Sequence, residues 1–369
     1  MNRLWILSLN MLACTAAFSQ TDGGGPVSPP SIPISQLAFD PPQRTSLGAM
    51  GTAMSANYTC AEDGTTFLQI AGSPRKMDFV LHSLQGTTGD THFDVPHIPG
   101  YGPIPDWTWN FFVNDQQVAM LVNAPIEQNQ FEKQEARPTW VWLALLYDRK
   151  GTFERAVPIP QELDPKSVGI YGSGNLLVIA ANKITKAAEL FVLSPKGDVI
   201  NHFLLFDEDY NTNKIAKKQQ PLAEMTPDGA LTFMQLVANG SNLLLVPQDT
   251  GAPISEVNER GIVRTVQLKL PKGTAIASFL SHNESLWKIR TFVDEKVTTD
   301  SKTGQTSGDL DTGPVLEFNS FDGSLLRRFE EPAKLNARLT CEHNGDYTAI
   351  TTDPKDGRLE ILKGEEVKK

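Results

Sequence analysis

The sequence is poor in the residue patterns that carry a defined chemistry. It holds only three cysteines and six histidines in 369 residues. It has no C-x-x-C pair, H-E-x-x-H motif, G-x-S-x-G nucleophile elbow, P-loop or dinucleotide-binding glycine motif. The usual sequence signals for metal-dependent, serine-hydrolase and nucleotide chemistry are therefore missing, and no enzymatic activity is predicted from a motif.

Positive charge is scarce as well. The chain carries 33 Lys and Arg residues against 43 Asp and Glu residues, which gives a formal net charge of −10 at pH 7. Such a chain has no basic stripe for nucleic acid and no polybasic patch for a membrane surface. With 40% hydrophobic and 21% charged residues, it has the composition of a folded globular protein.

One long apolar run stands near the N-terminus. Arg3 is followed by Leu4–Ala17, and Ala17-Phe18-Ser19 supplies the small residues that signal peptidase recognises. The run is too short to span a bilayer. We therefore expect residues 1–19 to be a signal peptide, with a secreted or periplasmic protein starting at Gln20 and no integral membrane segment after cleavage. A buried N-terminal strand or helix is the alternative.

The same segment also contains a possible signal for a second export route, lipidation. Met11-Leu12-Ala13-Cys14 loosely resembles a bacterial lipobox, which would leave the protein anchored through a lipid on Cys14. The following residues, 20–33, are rich in Gly, Pro and Ser and lack periodicity. This composition predicts a flexible linker on either route.

The segment Ser167–Asp207 has the pattern of a four-stranded antiparallel meander. Runs rich in Val, Ile, Leu and Phe, separated by glycine-containing and polar turns, are typical of strands. Such a sheet is one blade of a β-propeller. The four runs are Val168–Tyr171, Leu176–Ala181, Glu189–Leu193 and Val199–Phe206.

The first turn of this meander recurs along the chain every 52 to 61 residues or so. An apolar residue stands four positions before the last residue of each turn, as expected of the innermost strand of a repeated blade. The turns are Asp63-Gly64, Asp115-Gln116, Gly172-Ser173-Gly174, Asp228-Gly229, Asn283-Glu284 and Asn344-Gly345. The apolar positions are Cys60, Phe112, Ile170, Met225, Leu280 and Cys341.

A second family of turns, including Lys196-Gly197 and Asp322-Gly323, leads into further apolar strands. We therefore predict an all-β fold, a six-bladed β-propeller of four-stranded antiparallel blades over residues 34–369. The last repeat has three strands, so Ile34–Phe39 is expected to supply the fourth and to close the ring by pairing the two ends of the chain. The alternative is two β-sandwich domains divided near Glu162–Pro165.

On these turns and periods, the chain resembles the broad class of six-bladed propellers of the TolB-like and NHL type. The resemblance covers most of the chain and is one of architecture. The class includes sugar lactonases, extracellular binding proteins and many proteins without an assigned activity. The resemblance therefore implies a fold and leaves the function open.

Long connections are predicted on one face of the ring. In such blades the connections between strands two and three, and between successive blades, share one face, and binding sites concentrate on long loops. The most distinctive loop supplies the candidate binding residues His97, Tyr101, Asp106 and Trp107, suited to a protein, peptide or carbohydrate. The alternative is that the tryptophans fill the spaces between sheets. The long connections are Pro96–Asp106, Ala124–Thr139, Asp207–Pro221 and Asp294–Pro314, the last of which we read as a solvated excursion.

Two sequence features bear on calcium. Asp207, Asp209 and Asn211 place side-chain oxygens at every second position, as calcium-binding loops do. A solvated acidic loop is the alternative for the same residues. No other cofactor is expected. We interpret the protein as a binding module acting through its long-loop face. A calcium-dependent hydrolase or lactonase at the central channel is the alternative, with polar groups near the channel at Asp106, Gln220 and Asn336.

Cys60 and Cys341 hold the same register position in the first and last blades. Ring closure makes those blades neighbours, and export places both thiols where disulfides persist. The equivalent positions in other blades are apolar, so each cysteine also suits a small buried hydrophobe. Both readings, a disulfide and two buried thiols, follow from the sequence.

Overall fold

Every regular element that the structure describes is a β-strand. The computed structural model describes residues 32–49, 56–70, 78–83, 91–94, 97–104, 108–127, 139–185, 188–204, 234–247, 253–283, 285–294, 298–299, 306–307, 310–332, 335 and 337–367. Within these ranges no helix has the length and apolar character needed to cross a membrane.

The strands fall into successive groups of four along the chain. β1 and β2 (Ile34–Phe39 and Gln43–Ala49) come before the first group. The first two groups are β3 to β6 (Ala56–Cys60, Thr66–Ile70, Asp78–Ser83, Thr91–Asp94) and β7 to β10 (Thr108–Val113, Gln117–Pro125, Trp140–Asp148, Phe153–Pro158). The next two are β11 to β14 (Leu163–Ile170, Leu176–Asn182, Ala188–Leu193, Val199–Leu204) and β15 to β18 (Met234–Asn239, Asn242–Pro247, Ile254–Asn258, Gly261–Val266).

The fifth group is interrupted by a short hairpin, and the sixth has three strands. The fifth group comprises β19 (Thr274–His282), β20 (Leu286–Asp294), β23 (Leu310–Asn319) and β24 (Leu325–Glu330). The hairpin pairs β21 (Thr298–Thr299) with β22 (Thr306–Ser307). The sixth group comprises β25 (Arg338–His343), β26 (Asp346–Thr352) and β27 (Arg358–Glu366). Each group is an antiparallel meander in chain order, as predicted.

The third blade confirms the predicted meander and extends its first strand. β11 begins at Leu163 and passes through Pro165, which pairs with Ala180 beside a β-bulge. The bulge accommodates a residue that has no N–H to give to the ladder. Because one strand covers this region, the alternative of two domains divided near Glu162–Pro165 is wrong.

Side-chain oxygens close the tight turns. The Asp63 carboxylate accepts a hydrogen bond from the Thr65 N–H, and Asn114 accepts one from the Gln117 N–H. Asn283 does the same for the Leu286 N–H. Asp and Asn are favoured in turns because their side chains make these local bonds. The recurring Asp and Asn residues thus help to position the hairpin between the first and second strands of these blades.

The fourth blade does not follow the predicted register. Its first hairpin joins β15 to β16 at Gly240-Ser241, with Asn239 paired to Asn242. The prediction of this hairpin at Asp228-Gly229 was therefore wrong, and those two residues lie outside the described ranges. With the observed register, residues 248–253 connect strands two and three, and the connection of strands three and four is tight.

The innermost strands are in contact in cyclic order. β3, β7, β11, β15, β19 and β25 each contact the next, and β25 contacts β3. Residues predicted for this position are buried, including Phe112, Ile170 and Leu280. Apolar side chains fill the spaces between sheets, with the largest cluster drawn from the second, third and fourth blades. The arrangement is a β-propeller.

The N-terminal strands complete the sixth blade. Leu37–Phe39 of β1 pairs antiparallel with the end of β27, and β2 pairs with the earlier part of β27. The first half of β1 pairs in parallel with β24 of the fifth blade. The expected fourth strand is thus shared between β1 and β2, and β1 also joins the last two blades into one sheet.

Cys60 and Cys341 form a disulfide in the structure, with their Cα atoms 5.2 Å apart. The bond links β3 of the first blade to β25 of the sixth. Beside it, the hydroxyl oxygens of Thr66 and Thr340 lie 3.4 Å apart in a buried contact between the same blades. The first and last blades are therefore joined by a covalent bond near the ring's inner wall.

A substitution at Gly364 of β27 tests whether β1 packs against this strand. A Cβ at this position would lie 2.8 Å from the carbonyl oxygen of Ala38 and would overlap the Phe39 ring. We expect Gly364→Ala to lower the free energy of unfolding by about 1 to 3 kcal/mol, the usual cost of overpacking. The control Gly172→Ala places its Cβ in open space and should leave stability unchanged or slightly higher. Equal effects in urea denaturation would show that β1 does not pack as described.

The disulfide predicts a specific chemical result. The purified protein, denatured and alkylated without reductant, should show no labelled thiol at Cys60 or Cys341 in intact-mass analysis. The bond spans a sequence separation of 281 residues, so in the chain-entropy model its reduction costs about 5 kcal/mol of stability. Two labelled thiols in the unreduced protein would support the alternative of buried free cysteines.

Candidate functional site

Two of the four predicted loop residues, His97 and Tyr101, lie within the described ranges. His97 is exposed, and Tyr101 is half-buried against the apolar cluster of the first and second blades. Tyr101 also bridges to Ile126, and Gly102 donates its N–H to the carbonyl of Pro125 at 2.8 Å. The loop thus packs against the second blade, and part of the Tyr101 side chain is buried in that contact.

The remaining predicted site residues lie outside the described ranges. They are Asp106 and Trp107 of the binding loop, the calcium candidates Asp207, Asp209 and Asn211, and the channel candidates Gln220 and Asn336. Among the described side chains, no group of three or more His, Cys, Asp and Glu residues is arranged to hold a metal ion. The calcium hypothesis and the long-loop binding hypothesis therefore stay predictions.

The described residues enclose a cavity of about 260 Å³ on the inner side of the ring. Its walls come from the first, fourth, fifth and sixth blades, close to the turns that join strands one and two. These turns are on the face opposite the long connections. Its charged and titratable lining comprises Glu62, His282, Lys288, Glu317, Glu342 and His343.

Glu62 connects the first blade to the fourth and fifth. Its Oε1 accepts a hydrogen bond from the Gly240 N–H at 2.7 Å, and the Nε2 of His282 lies 3.6 Å from the same oxygen. Gly240 belongs to the fourth-blade hairpin, so this bond reaches between blades that are not adjacent. The turn after β3 is thereby fixed at the edge of the cavity.

The Glu62 carboxylate is held in its charged form. Its contact with His282 is the largest cause that lowers the pKa of Glu62, to about 2, with the Gly240 N–H adding to it. Asp115, in the first turn of the second blade, is coupled to it. Burial and the neighbouring Glu62 charge raise the pKa of Asp115. Any proton shared by this pair therefore resides on Asp115.

Glu342 is buried and fully bonded. Lys288 donates from Nζ to its Oε1 at 2.8 Å, the Gly345 N–H donates at 2.7 Å, and the Ser281 hydroxyl donates to its other oxygen. Only 5% of Glu342 is exposed. A buried carboxylate is tolerated when donors satisfy it in this way. Glu342 and Lys288 thus form a satisfied pair in the cavity wall.

Glu317 differs from Glu342. It lies on β23 between Lys288 on one neighbouring strand and Arg327 on the other, and only 5% of the residue is exposed. Among the described residues no donor bonds to its carboxylate, because Lys288 binds Glu342 and Arg327 binds Glu366. Burial raises the pKa of Glu317, while Lys288 and Arg327 act against that increase. A buried carboxylate without a bonded partner therefore faces the cavity.

Two aromatic rings contact Lys288, the lysine on the strand next to Glu317. The Nζ of Lys288 lies 5.4 Å from the centre of the Phe329 ring and 5.6 Å from that of Tyr347. Both rings are fully buried between the fifth and sixth blades. Cation–π contacts and the bond to Glu342 together hold the ammonium in place. Lys288 therefore acts on the charge of Glu317 from the neighbouring strand, while its hydrogen bond is made to Glu342.

This site was not predicted from the sequence. Its Glu, Lys, Ser and His residues come from three different blades, the first, fifth and sixth, and no local spacing connects them. One signal was present: Glu317 stands within an apolar strand, between Leu316 and Phe318, where a charged residue is unusual. The long loops, where binding was predicted, do not carry these side chains, which lie on strands and tight turns.

Comparison with known proteins gives only distant similarity. No family model and no curated protein matches the chain. One solved structure that it resembles is a protein of unknown function from Bacteroides caccae, with 11% identity, 82% of this chain and 96% of that chain covered, and a TM-score of 0.39. Another is a catalytically inactive virginiamycin B lyase from Staphylococcus aureus with quinupristin. It has 10% identity, 90% of this chain and 100% of that chain are covered, and the TM-score is 0.42. At this level no activity or ligand is transferred to the chain.

The charge on Glu62 predicts a pH dependence. Because its pKa in the folded protein lies near 2, below the ordinary value, its contribution is fully present above about pH 4.5 and is lost as the pH falls through the folded value. We expect Glu62→Gln to lower the free energy of unfolding at pH 7 by about 1 to 2 kcal/mol, after allowance for partial exposure.

The same variant should also flatten the loss of stability between about pH 4.5 and pH 2. Denaturation curves across this interval measure both effects. The control Glu365→Gln removes an exposed carboxylate and should leave the curve unchanged. A wild-type slope retained in Glu62→Gln would contradict the assignment.

Proposed function

We propose that this protein is a binding module that holds a small polar ligand in the cavity on the tight-turn face of the propeller. The observation that carries the proposal is the Glu317 carboxylate, which is buried, lacks a bonded donor and lines the cavity. A buried polar group without a partner costs folding free energy, so it is retained most readily where a ligand supplies the missing bond.

The size and lining of the cavity support a small and polar occupant. Its volume of about 260 Å³ falls just below the range of about 300 to 1,000 Å³ typical of ligand pockets. Glu62, His282, Ser281 and Asn283 provide polar groups, while Phe279 and Leu286 provide apolar surface. A few polar groups on an apolar wall are the usual composition of such sites.

Export remains part of the proposal. The predicted signal segment lies outside the described residues, and the Cys60–Cys341 bond is compatible with an oxidising compartment. The lipid anchor at Cys14, the calcium site and the lactonase alternative stay predictions from the sequence. The resemblance to TolB-like and NHL propellers also stays a prediction from the sequence, and it does not indicate a ligand.

The proposal is tested by blocking the cavity. Leu286 is half-buried and lines it, so Leu286→Trp should fill part of the space without burying a new charge. In ligand-observed NMR with a mixture of small amines, polyols and hydroxy acids, we expect at least one compound to bind the wild type. The same compound should lose about tenfold or more in affinity for Leu286→Trp, because the ring occupies its place.

Tyr101→Ala is the matched control, since it changes the opposite face. It should leave binding intact. Loss of binding in Tyr101→Ala with retention in Leu286→Trp would overturn the proposal and support the long-loop face instead.

A further inference from the structure

We propose that the ligand of this cavity is a small organic cation, and that the Glu317 carboxylate receives its ammonium group. This inference rests on the proposed function and specifies the charge of the ligand. It also assigns Glu317 as the residue that determines specificity.

The first support is the charge of the lining. Glu62, Glu317 and Glu342 face the cavity with Lys288 as the one lysine or arginine among the described lining residues. The lining therefore carries an excess of negative charge when its histidines are neutral. An anion would have to enter against this excess.

The second support is the state of each nearby cation. Lys288 is bonded to Glu342 at 2.8 Å and lies over two buried rings. Arg327 donates to the Ser35 hydroxyl at 3.0 Å and forms an ion pair with Glu366. Both lie beside Glu317 on the neighbouring strands and act on its charge, but neither donates a hydrogen bond to its carboxylate. The hydrogen-bond donor that Glu317 lacks is therefore left to a ligand.

The third support is the energetics of burial. The interior of a protein strengthens both the penalty for an unpaired charge and the attraction between opposite charges. A neutral polyol can donate hydrogen bonds to Glu317 but adds no positive charge to a lining with an excess of carboxylates. An ammonium supplies both the donors and the charge, so it is the chemical group that best satisfies this carboxylate.

Three four-carbon probes test the charge preference. 1,4-Diaminobutane, 1,4-butanediol and succinate share a chain and differ in their ends, which are cationic, neutral and anionic. Isothermal titration calorimetry on the full protein at pH 7 should show binding of the diamine. The diol and succinate should bind about tenfold or more weakly, the size expected for a charge contact in a desolvated site.

Glu317→Gln removes the charge while keeping the shape of the side chain. It should weaken the diamine by about tenfold or more and leave the diol unchanged. Glu365→Gln removes the same formal charge at an exposed position on β27 and should leave diamine affinity within about twofold, because exposed charges are screened. Thermal unfolding of both variants confirms that they are folded.

The outcomes separate the two proposals. Tightest binding of succinate or the diol, abolished by Leu286→Trp, would overturn the cation inference and keep the proposed function. Diamine binding undiminished in Glu317→Gln would overturn the role of Glu317. No binding of any probe to the wild type would overturn the inference and count against the proposed function. If Glu317→Gln does not fold, the order of the three probes on the wild type and their response to Leu286→Trp decide.

Discussion

The fold depends on the pairing of β27 with strands from the other end of the chain. β25, β26 and β27 make only three-quarters of a blade, and the outer edge of β27 would otherwise present unpaired N–H and C=O groups. β1 and β2 cover that edge, and β1 also reaches β24. Open strand edges invite association with other chains, so this pairing stabilises the last blade and also protects it.

The candidate site follows from the same closure. Ser281 and Lys288 lie on the fifth blade, Glu342 on the sixth and Glu62 on the first. They surround one cavity only because the first blade returns to meet the sixth. The disulfide between Cys60 and Cys341 fixes that meeting point, and Cys60 itself lines the cavity. The position of the carboxylates is therefore a property of the closed ring and of no single blade.

The sequence predicted the parts of the fold that local chemistry determines. Turn letters such as Asp63, Asn114 and Asn283 form the side-chain bonds that start each second strand, so five of the six first hairpins were placed correctly. The fourth was misplaced because Asp228-Gly229 has the same letters as a true turn, while Gly240-Ser241 forms the hairpin. Local turn chemistry identifies candidates, but pairing with the neighbouring strand decides between them.

The cavity could not be predicted in this way, since Glu62 and Gly240 meet across 178 positions of sequence. The closure has a consequence for the order of folding. Ser35 contacts Glu366 across 331 positions, so the strand that is synthesised near the beginning finds its partner only after nearly the whole propeller has been made. Contacts so distant in sequence form slowly. Until then β1 and β27 are both exposed edges, and the interval before they meet is when a second copy of the chain can compete for either one.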